Sequence, residues 1–470
     1  MKHFRLLKYA MLLSAFGLFP ALSHAGWRYE ADNGKLTDGV WSFPATLLKD
    51  GINLEVDAKF GESSATTPCI IDFSQIEGGY KVTKFGQFSS QHGSYSASTG
   101  KGTRLYEFRG LITEFIAPHC TAFNNEACFK NCTNLTKVVL AEGVGIQGRT
   151  FEGCNSLVEL EPRKFASIAN DAFLGCSSLK GKIENTAKGT DDNPASFGNN
   201  AFSGCTSLEE VVAENVKSVG ERVFKGCSSL TNIVLSPQIR TIKKWAFDGC
   251  AKLTTENVQR ILHKGLVQLG IGMNGGDIKG GFTDCKGLTG TLVWEFTGLS
   301  TNVVPESCFQ GCDSLERVDF KTPVTEFRAS AFYNLKLGAE FHMTVEAPKV
   351  FASRATMTST APYAKVYLKG NYPAWIEVMN KNAYENIILK DAFNNESKYS
   401  KRNIGWGTIR AFMKKDTDMC SYDETENKIT VNERGVLGFL MYTYTTGGKT
   451  TQGGCWILKE PEAGFSVIVR

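Results

Sequence analysis

A single seven-residue pattern, Phe-x-Gly-Cys-x-Ser-Leu, returns nine times along the middle of the chain. Its anchors are Phe129, Phe151, Phe173, Phe202, Phe224, Phe247, Phe282, Phe309 and Phe332, at spacings of 22, 22, 29, 22, 23, 35, 27 and 23 residues. Self-similarity at such a period is the mark of a solenoid, in which each unit buries its apolar face only against its neighbours. The short spacings define one coil; the longer ones are coils with insertions. Phenylalanine and the leucine six residues on (Leu135, Leu157, Leu179, Leu208, Leu230, Leu253, Leu288, Leu315) are spaced to point inward from both sides of a tight turn, stacking into a continuous apolar column.

The residue before the cysteine is Gly153, Gly175, Gly204, Gly226, Gly249 or Gly311, and elsewhere Asn131, Asp284 or Asn334. These are the residue types that visit the left-handed region readily, so the slot is expected to end a short helical turn with positive φ. Ala127, Ala172, Ala201, Ala246 and Ala331, one or two residues ahead of the Phe, are small enough to let coils approach. After the leucine comes a β-prone run, as at Val138, Val158, Val211, Ile233 and Val318. A second run precedes the next Phe, as in "VKSVG" (216–220), "IRTIK" (239–243) and "VTEF" (324–327). The expected coil is two short strands and one helical turn.

With those residues in place, "VKSVGERVFKGCSSLTNIVL" (216–235) resembles the repeat of the BspA-like leucine-rich repeat family, over roughly Ile112 to Ala352. The resemblance implies a leucine-rich repeat solenoid on a secreted or surface protein of mostly bacterial kind, some members of which act in adhesion. It carries no catalytic residues to transfer. The ninth unit departs from it, with Leu335 in the cysteine place, as suits a terminal coil. The sixth runs on into "TTENVQRILHK", where Thr254 or Thr255 is expected to cap a short helix with Val258, Ile261 and Leu262 on one face. The third carries the polar loop Glu184 to Asn200.

The flanks read differently. Residues 1–25 carry Lys2, Arg5 and Lys8, then "YAMLLSAFGLFPAL", then small residues at Ser23 and Ala25, the layout of a secretory signal peptide with cleavage expected before Gly26. No later segment is apolar enough to span a bilayer. Residues 26–110 alternate apolar and polar positions around Trp27 and Trp41 and predict a β-rich N-terminal cap, since a bare solenoid end needs covering. The solenoid is expected over 111–370 and a capping strand and helix over 371–400. Residues 401–470, with the turn at Gly447 and Gly448, predict a small antiparallel β domain.

Composition narrows the function. The chain has 52 Lys and Arg against 48 Asp and Glu, and removal of the leader leaves 49 against 48. A near-neutral surface argues against nucleic acid as partner. Eight of the 14 cysteines occupy the repeat slot. Stacked equivalent positions lie about 4.8 Å apart with parallel side chains, whereas a disulfide needs Cβ atoms aimed at each other; a ladder of buried free thiols is expected, each a small hydrophobe. Cys128 with Cys132 and Cys308 with Cys312 lack nearby histidine, so no metal site is expected. Cys420 and Cys455 are candidates for a disulfide, and Cys69 and Cys120 are left open. "GIGMNG" (270–275) matches the dinucleotide fingerprint without a following helix or βαβ unit, so no cofactor is expected. His92, His119, His263 and His342 are scattered, and no nucleophile or zinc motif is present.

The expected function is therefore a secreted or cell-surface, non-catalytic binding or adhesion protein recognising an extracellular protein or glycan. The alternative is a structural surface or envelope protein using its C-terminal domain for sorting or attachment. The outward strand positions Lys137, Glu159, Glu210, Asn232 and Arg317 form the candidate binding stripe, with the insertions around Asp191 and His263 beside it.

Overall fold

The computed structural model describes residues 26–57, 62–86, 108–123, 126–186, 195–272, 278–299, 302–336, 339–343, 350–351, 365–368, 420–423, 428–431, 436–446 and 449–459. The chain winds as a leucine-rich repeat β-solenoid whose coils have three sides. The short-strand side runs in parallel register from Asn53–Asp57 through Lys81–Gly86, Ala122–Phe123, Gly145–Ile146, Ser167–Ile168, Ser196–Phe197, Ser218–Val219 and Thr241–Lys243 to Gln268–Ile271. At its N-terminal end the same sheet continues into antiparallel strands Trp41–Leu47, Lys35–Thr37 and Trp27–Glu30. The long-strand side is built from the runs that follow each repeat leucine. The third side is the turn that carries Phe-x-Gly-Cys.

On that third side the structure corrects the expectation of a helical turn in each coil. All nine slot residues have positive φ as expected, from Asp284 at 57° to Gly204 at 78°. A second left-handed residue, two before the phenylalanine, was not foreseen: Ala127, Arg149, Asp171, Asn200, Arg222, Trp245, Ser307 and Ser330 have φ of 55° to 60° or, at Asn200, 54°. Only three residues separate the two left-handed positions, too few for an α-helical i to i−4 bond. The backbone donors go elsewhere. Phe202 N donates to Val223 O at 2.9 Å and Gly204 N to Lys225 O at 2.7 Å in the next coil, while Cys205 N turns back to Phe202 O at 3.0 Å. The same alternation recurs from coil to coil and makes the turn side a third hydrogen-bonded ladder.

The apolar column is as the spacing requires. Phe85, Phe129, Phe151, Phe173, Phe202, Phe224, Phe247, Phe282, Phe309 and Phe332 stack with centroids 5.2 to 5.8 Å apart and interplanar angles of 4° to 17°. Offset stacking at this separation adds to the burial of each ring. Below Phe85 the column meets Trp27, Trp41, Phe43 and Phe73, all buried.

The long-strand side is not continuous. One sheet joins Cys69–Asp72, Ile112–Ile116, Lys137–Val139 and Glu159–Glu161; a second joins Lys164–Phe165, Gly181–Asn185, Leu208–Ala213 and Asn232–Leu235. Pro162, which has no N–H to give to a ladder, lies where the chain passes from one to the other. The next coil places the helix Thr255–Ile261 where a strand would run, capped by Thr254 and Asn257 with Val258, Ile261 and Leu262 buried as expected. A third sheet follows, Gly290–Trp294, Leu315–Phe320, Glu340–Met343 and Lys365–Leu368, to which the hairpin of Val436–Thr446 and Lys449–Lys459 adds antiparallel. The leader and the 371–400 segment lie outside the described residues, as does the start of the 401–470 region.

Candidate binding surface

The strand rows place the candidate residues by register. Lys137 stands directly beside Glu159, and Glu210 beside Asn232 and Lys182. Arg317 stands beside Thr291 and Glu340 on the third sheet. The five residues thus occupy equivalent rows on three separate sheets, interrupted at Pro162 and at the helix, and do not form one unbroken stripe. Their charges are largely answered from within. Lys137 Nζ lies 3.5 Å from Glu159 Oε2, Lys182 Nζ lies 3.9 Å from Glu210 and 2.8 Å from Glu184, and Arg317 grips Asp319 through Nε at 2.5 Å and Nη2 at 3.0 Å. The hydrogen bond and charge of Lys182 hold the Glu184 carboxyl below the usual range.

Of the two insertions, Asp191 lies outside the described residues. His263 is half-buried at the end of the helical coil: its Nε2 meets Ile239 O at 2.9 Å and its Nδ1 meets Gly265 N at 3.0 Å. Since Gly265 N–H can only donate, Nδ1 accepts and Nε2 carries the proton, and both ring nitrogens are engaged with backbone. The dinucleotide-like segment starts at Gly270, whose φ is 75° and whose added Cβ would meet Lys279 O at 2.3 Å. That glycine serves close backbone approach, and its remaining residues 273–275 lie outside the described set.

The cysteines are more than small hydrophobes. Each slot thiol after the first donates to the carbonyl of the phenylalanine one coil back: Cys154 to Phe129, Cys176 to Phe151, Cys205 to Phe173, Cys227 to Phe202 and Cys250 to Phe224 at 3.1 to 3.2 Å. Cys285 and Cys312 continue the ladder to Phe247 and Phe282. Burial drives these thiols far above their ordinary pKa, so the thiolate that oxidation and metal binding require is suppressed. Cys69 and Cys120 are also free and buried, pushed up to about 11 and about 12. No group of metal-ligating side chains occurs among the described residues. Cys420 and Cys455 lie on described strands, but their side chains lie outside the described set.

The corner between the short strands and the turn holds a charged cluster that the candidate stripe does not include. There Glu221, buried, pairs with Arg222 and sits 3.9 Å from Lys244 Nζ. The Arg222 guanidinium and the Lys244 ammonium lie 4.1 and 4.5 Å from the ring centroid of Trp245, a cation–π arrangement. Three coils before Arg222, Arg149 reaches Glu126 at 3.2 Å and Asp171 at 3.3 Å, and Asn200 Nδ2 donates to Asp171 at 2.9 Å. The only sequence signal for this corner was a tryptophan and two arginines recurring at the same offset before Phe.

Comparison with known proteins agrees with the repeat. Residues 105–180, 195–264 and 282–347 match the BspA type leucine rich repeat region, in six copies. Among solved structures, a leucine-rich repeat protein from Bacteroides ovatus is 15% identical, over 70% of this chain and 98% of that one, with a TM-score of 0.34. The leucine rich repeat protein TpLRR of T. pallidum is 20% identical over 36% of this chain and 76% of its own, at 0.25. The pneumococcal vaccine antigen PcpA is 11% identical over 72% and 99%, at 0.28. No curated protein matches the chain. No helix among the described residues is long and apolar enough to cross a membrane. With nine repeat phenylalanines in its stack, its left-handed slots and six matched copies, the solenoid between residues 105 and 347 is built from the BspA type leucine rich repeat.

Proposed function

We propose that the protein is a secreted or cell-surface, non-catalytic binding protein that recognises an extracellular protein or glycan through the outward rows of its solenoid. The observation that carries this reading is the division of labour within each coil: phenylalanine, leucine and cysteine are spent on the interior, and the strand sides turn varied polar residues outward. On the long-strand side the surface comprises Lys137, Glu159, Glu210, Asn232 and Arg317, with the insertion containing Asp191 and the helical coil ending at His263 at its margins. Because most of its charges are already paired, recognition there relies on shape and hydrogen bonding, with ligand groups exchanging for partners the protein already holds. The N-terminal strands around Trp27 and Trp41 act as the cap of the column, and the C-terminal hairpin covers the last sheet edge.

The test is a retention screen of the full chain against extracellular matrix proteins and mucin-type glycans. Retention on one of them is expected, and charge reversal at Lys137 and Arg317 together with removal of the 187–194 loop should weaken it. If both changes leave retention untouched, the surface is elsewhere on the molecule; if nothing is retained, the binding role fails.

A further inference from the structure

The short-strand side of two neighbouring coils is charged quite unlike the rest of the molecule. The short strands and corners of these coils, residues 216–222 and 239–245, hold Lys217, Arg222, Arg240, Lys243 and Lys244 against one acid, Glu221, while the whole chain has 52 cations to 48 acids. The register brings these cations together. Ser218 pairs with Thr241 in parallel, so Lys217 and Arg240 are adjacent on neighbouring strands, with backbones about 4.8 Å apart. Lys243 follows Arg240 by three residues, about 10 Å along the strand, and leads into the corner where Arg222 and Lys244 flank Trp245.

Between the two cationic borders runs a flat, uncharged floor. The outward row reads Ser196, Ser218, Thr241 and Gln268 in successive register, with Gly220 just past the end of its strand. Gly220 has no room for a larger side chain, since a Cβ there would meet Phe197 O at 2.7 Å. The short-strand segments on either side, 195–200 and 267–271, add no charge. At the corner one buried carboxylate, Glu221, serves two cations, so the cluster stays net positive while Arg222 and Lys244 are held in place against the indole.

We propose that this face binds an anionic polysaccharide, lying across the coils with its acidic groups on Lys217, Arg240, Lys243, Arg222 and Lys244 and its hydroxyls on the Ser218 and Thr241 floor. The proposal rests on the reading of the chain as an extracellular binding protein and assigns the ligand class for one face of it. Charge complementarity selects a polyanion. A protein partner would look for large apolar anchors, and the exposed large hydrophobics among the described residues, Ile52 and Ile70, adjoin or lie in the N-terminal strands Asn53–Asp57 and Cys69–Asp72, several coils away from this face. A single-stranded nucleic acid would look for open aromatic platforms, and the one indole here is already faced by two cations. Extended carbohydrate chains with regularly placed acids fit a flat hydroxyl-bearing floor with cations along both borders.

The experiment measures binding of the purified full chain to immobilised heparin at about 0.15 M salt, where exposed charges act only over about 8 Å. The triple variant Lys217→Ser, Arg240→Ser, Lys243→Ser should lower affinity tenfold or more with an unchanged melting temperature. Should the triple variant fold poorly, Arg240→Ser alone is expected to lower affinity about threefold, by loss of one contact in a screened cluster. Lys286→Ser with Lys336→Ser, two lysines paired with Asp313 and Glu316 outside either surface, should leave heparin binding as it was. Equal affinity of parent and triple variant overturns the proposal, and so does equally tight binding of a single-stranded oligonucleotide or of polyglutamate. Loss of heparin binding in the parent with persistent retention on a matrix protein removes the polysaccharide assignment and keeps the broader role; loss of both removes both.

Discussion

The coil between Phe202 and Phe224 and the coil between Phe247 and Phe282 differ on every side but one. The first has a six-residue strand, Leu208–Ala213, and a short return; the second has the helix Thr255–Ile261 and a longer excursion. Yet Phe202 meets Phe224 at 5.7 Å and 5°, and Phe247 meets Phe282 at 5.2 Å and 8°. The thiol of Cys227 reaches Phe202 O at 3.1 Å, and that of Cys285 reaches Phe247 O at 3.3 Å. The coil is defined by its turn, and its strand is replaceable. Replacement has a condition, which the helix meets through side chains. Gln259 donates to Val293 O at 3.0 Å and accepts from Val293 N at 2.9 Å, and Thr255 Oγ1 bonds both Thr289 O at 2.6 Å and Thr289 N at 2.9 Å. Two residues four apart on one helix face thus do for the adjoining strand edge what a backbone would have done.

If the turn side is what the coils share, Phe224→Ala and Phe282→Ala should destabilise alike, by about 4 kcal/mol each, in urea unfolding. A gap wider than about 2 kcal/mol between them would break the comparison, since such truncations vary by that much in unlike surroundings.

Asp248 separates the two coils next. It is buried and accepts from Thr283 N at 3.1 Å. Burial, above all, lifts its carboxyl from 3.8 to about 6, with Asp284 raising and Lys225 opposing. A carboxyl raised on folding contributes stability that is complete below about pH 4 and is lost as pH climbs through about 6. Asp248→Asn should therefore flatten the fall in melting temperature between about pH 4 and 6 and stabilise the neutral protein by up to about 3 kcal/mol. An unchanged pH profile would show that Asp248 is better solvated than its position indicates.

The slot comes third. Gly226 has a φ of 75°, so Gly226→Val should cost about 2 kcal/mol or more. Cys227→Ala loses a weak thiol hydrogen bond and a small volume, about 1 kcal/mol. Comparable thermal shifts for the two would contradict a left-handed turn. The smallest effect belongs to the helical coil: Gln259→Ala leaves Val293 N–H and C=O without the amide, for about 1 kcal/mol, and hydrogen exchange at Val293 should quicken while that at Val211, in the regular coil, stays put.

Much of the turn was legible because its requirements are local. Glycine, asparagine and aspartate at one slot announce a backbone angle, and a phenylalanine at a fixed period announces a stack. The second left-handed residue was not legible, because Arg149 and Trp245 have no preference for that conformation. What holds them there is the ladder from Arg149 N to Asn170 O and its kin, bonds between residues a full coil apart. The candidate stripe failed to read as continuous for a similar reason. Lys137, Glu210 and Arg317 repeat in sequence, but which sheet each joins depends on Pro162 and on a helix whose strand-mimicking contacts are side-chain chemistry. The basic face at Lys217 and Arg240 was hidden because overall charge averages it away.

The thiol ladder turns the molecule into its own gauge. Cys132, Cys154, Cys176, Cys205, Cys227, Cys250, Cys285 and Cys312 are each sealed inside one coil, so an alkylating reagent reaches a given sulfur only while that coil is open. Mass mapping of which cysteines are modified first, in native buffer, would chart from which end the solenoid frays and how far each opening spreads before it closes.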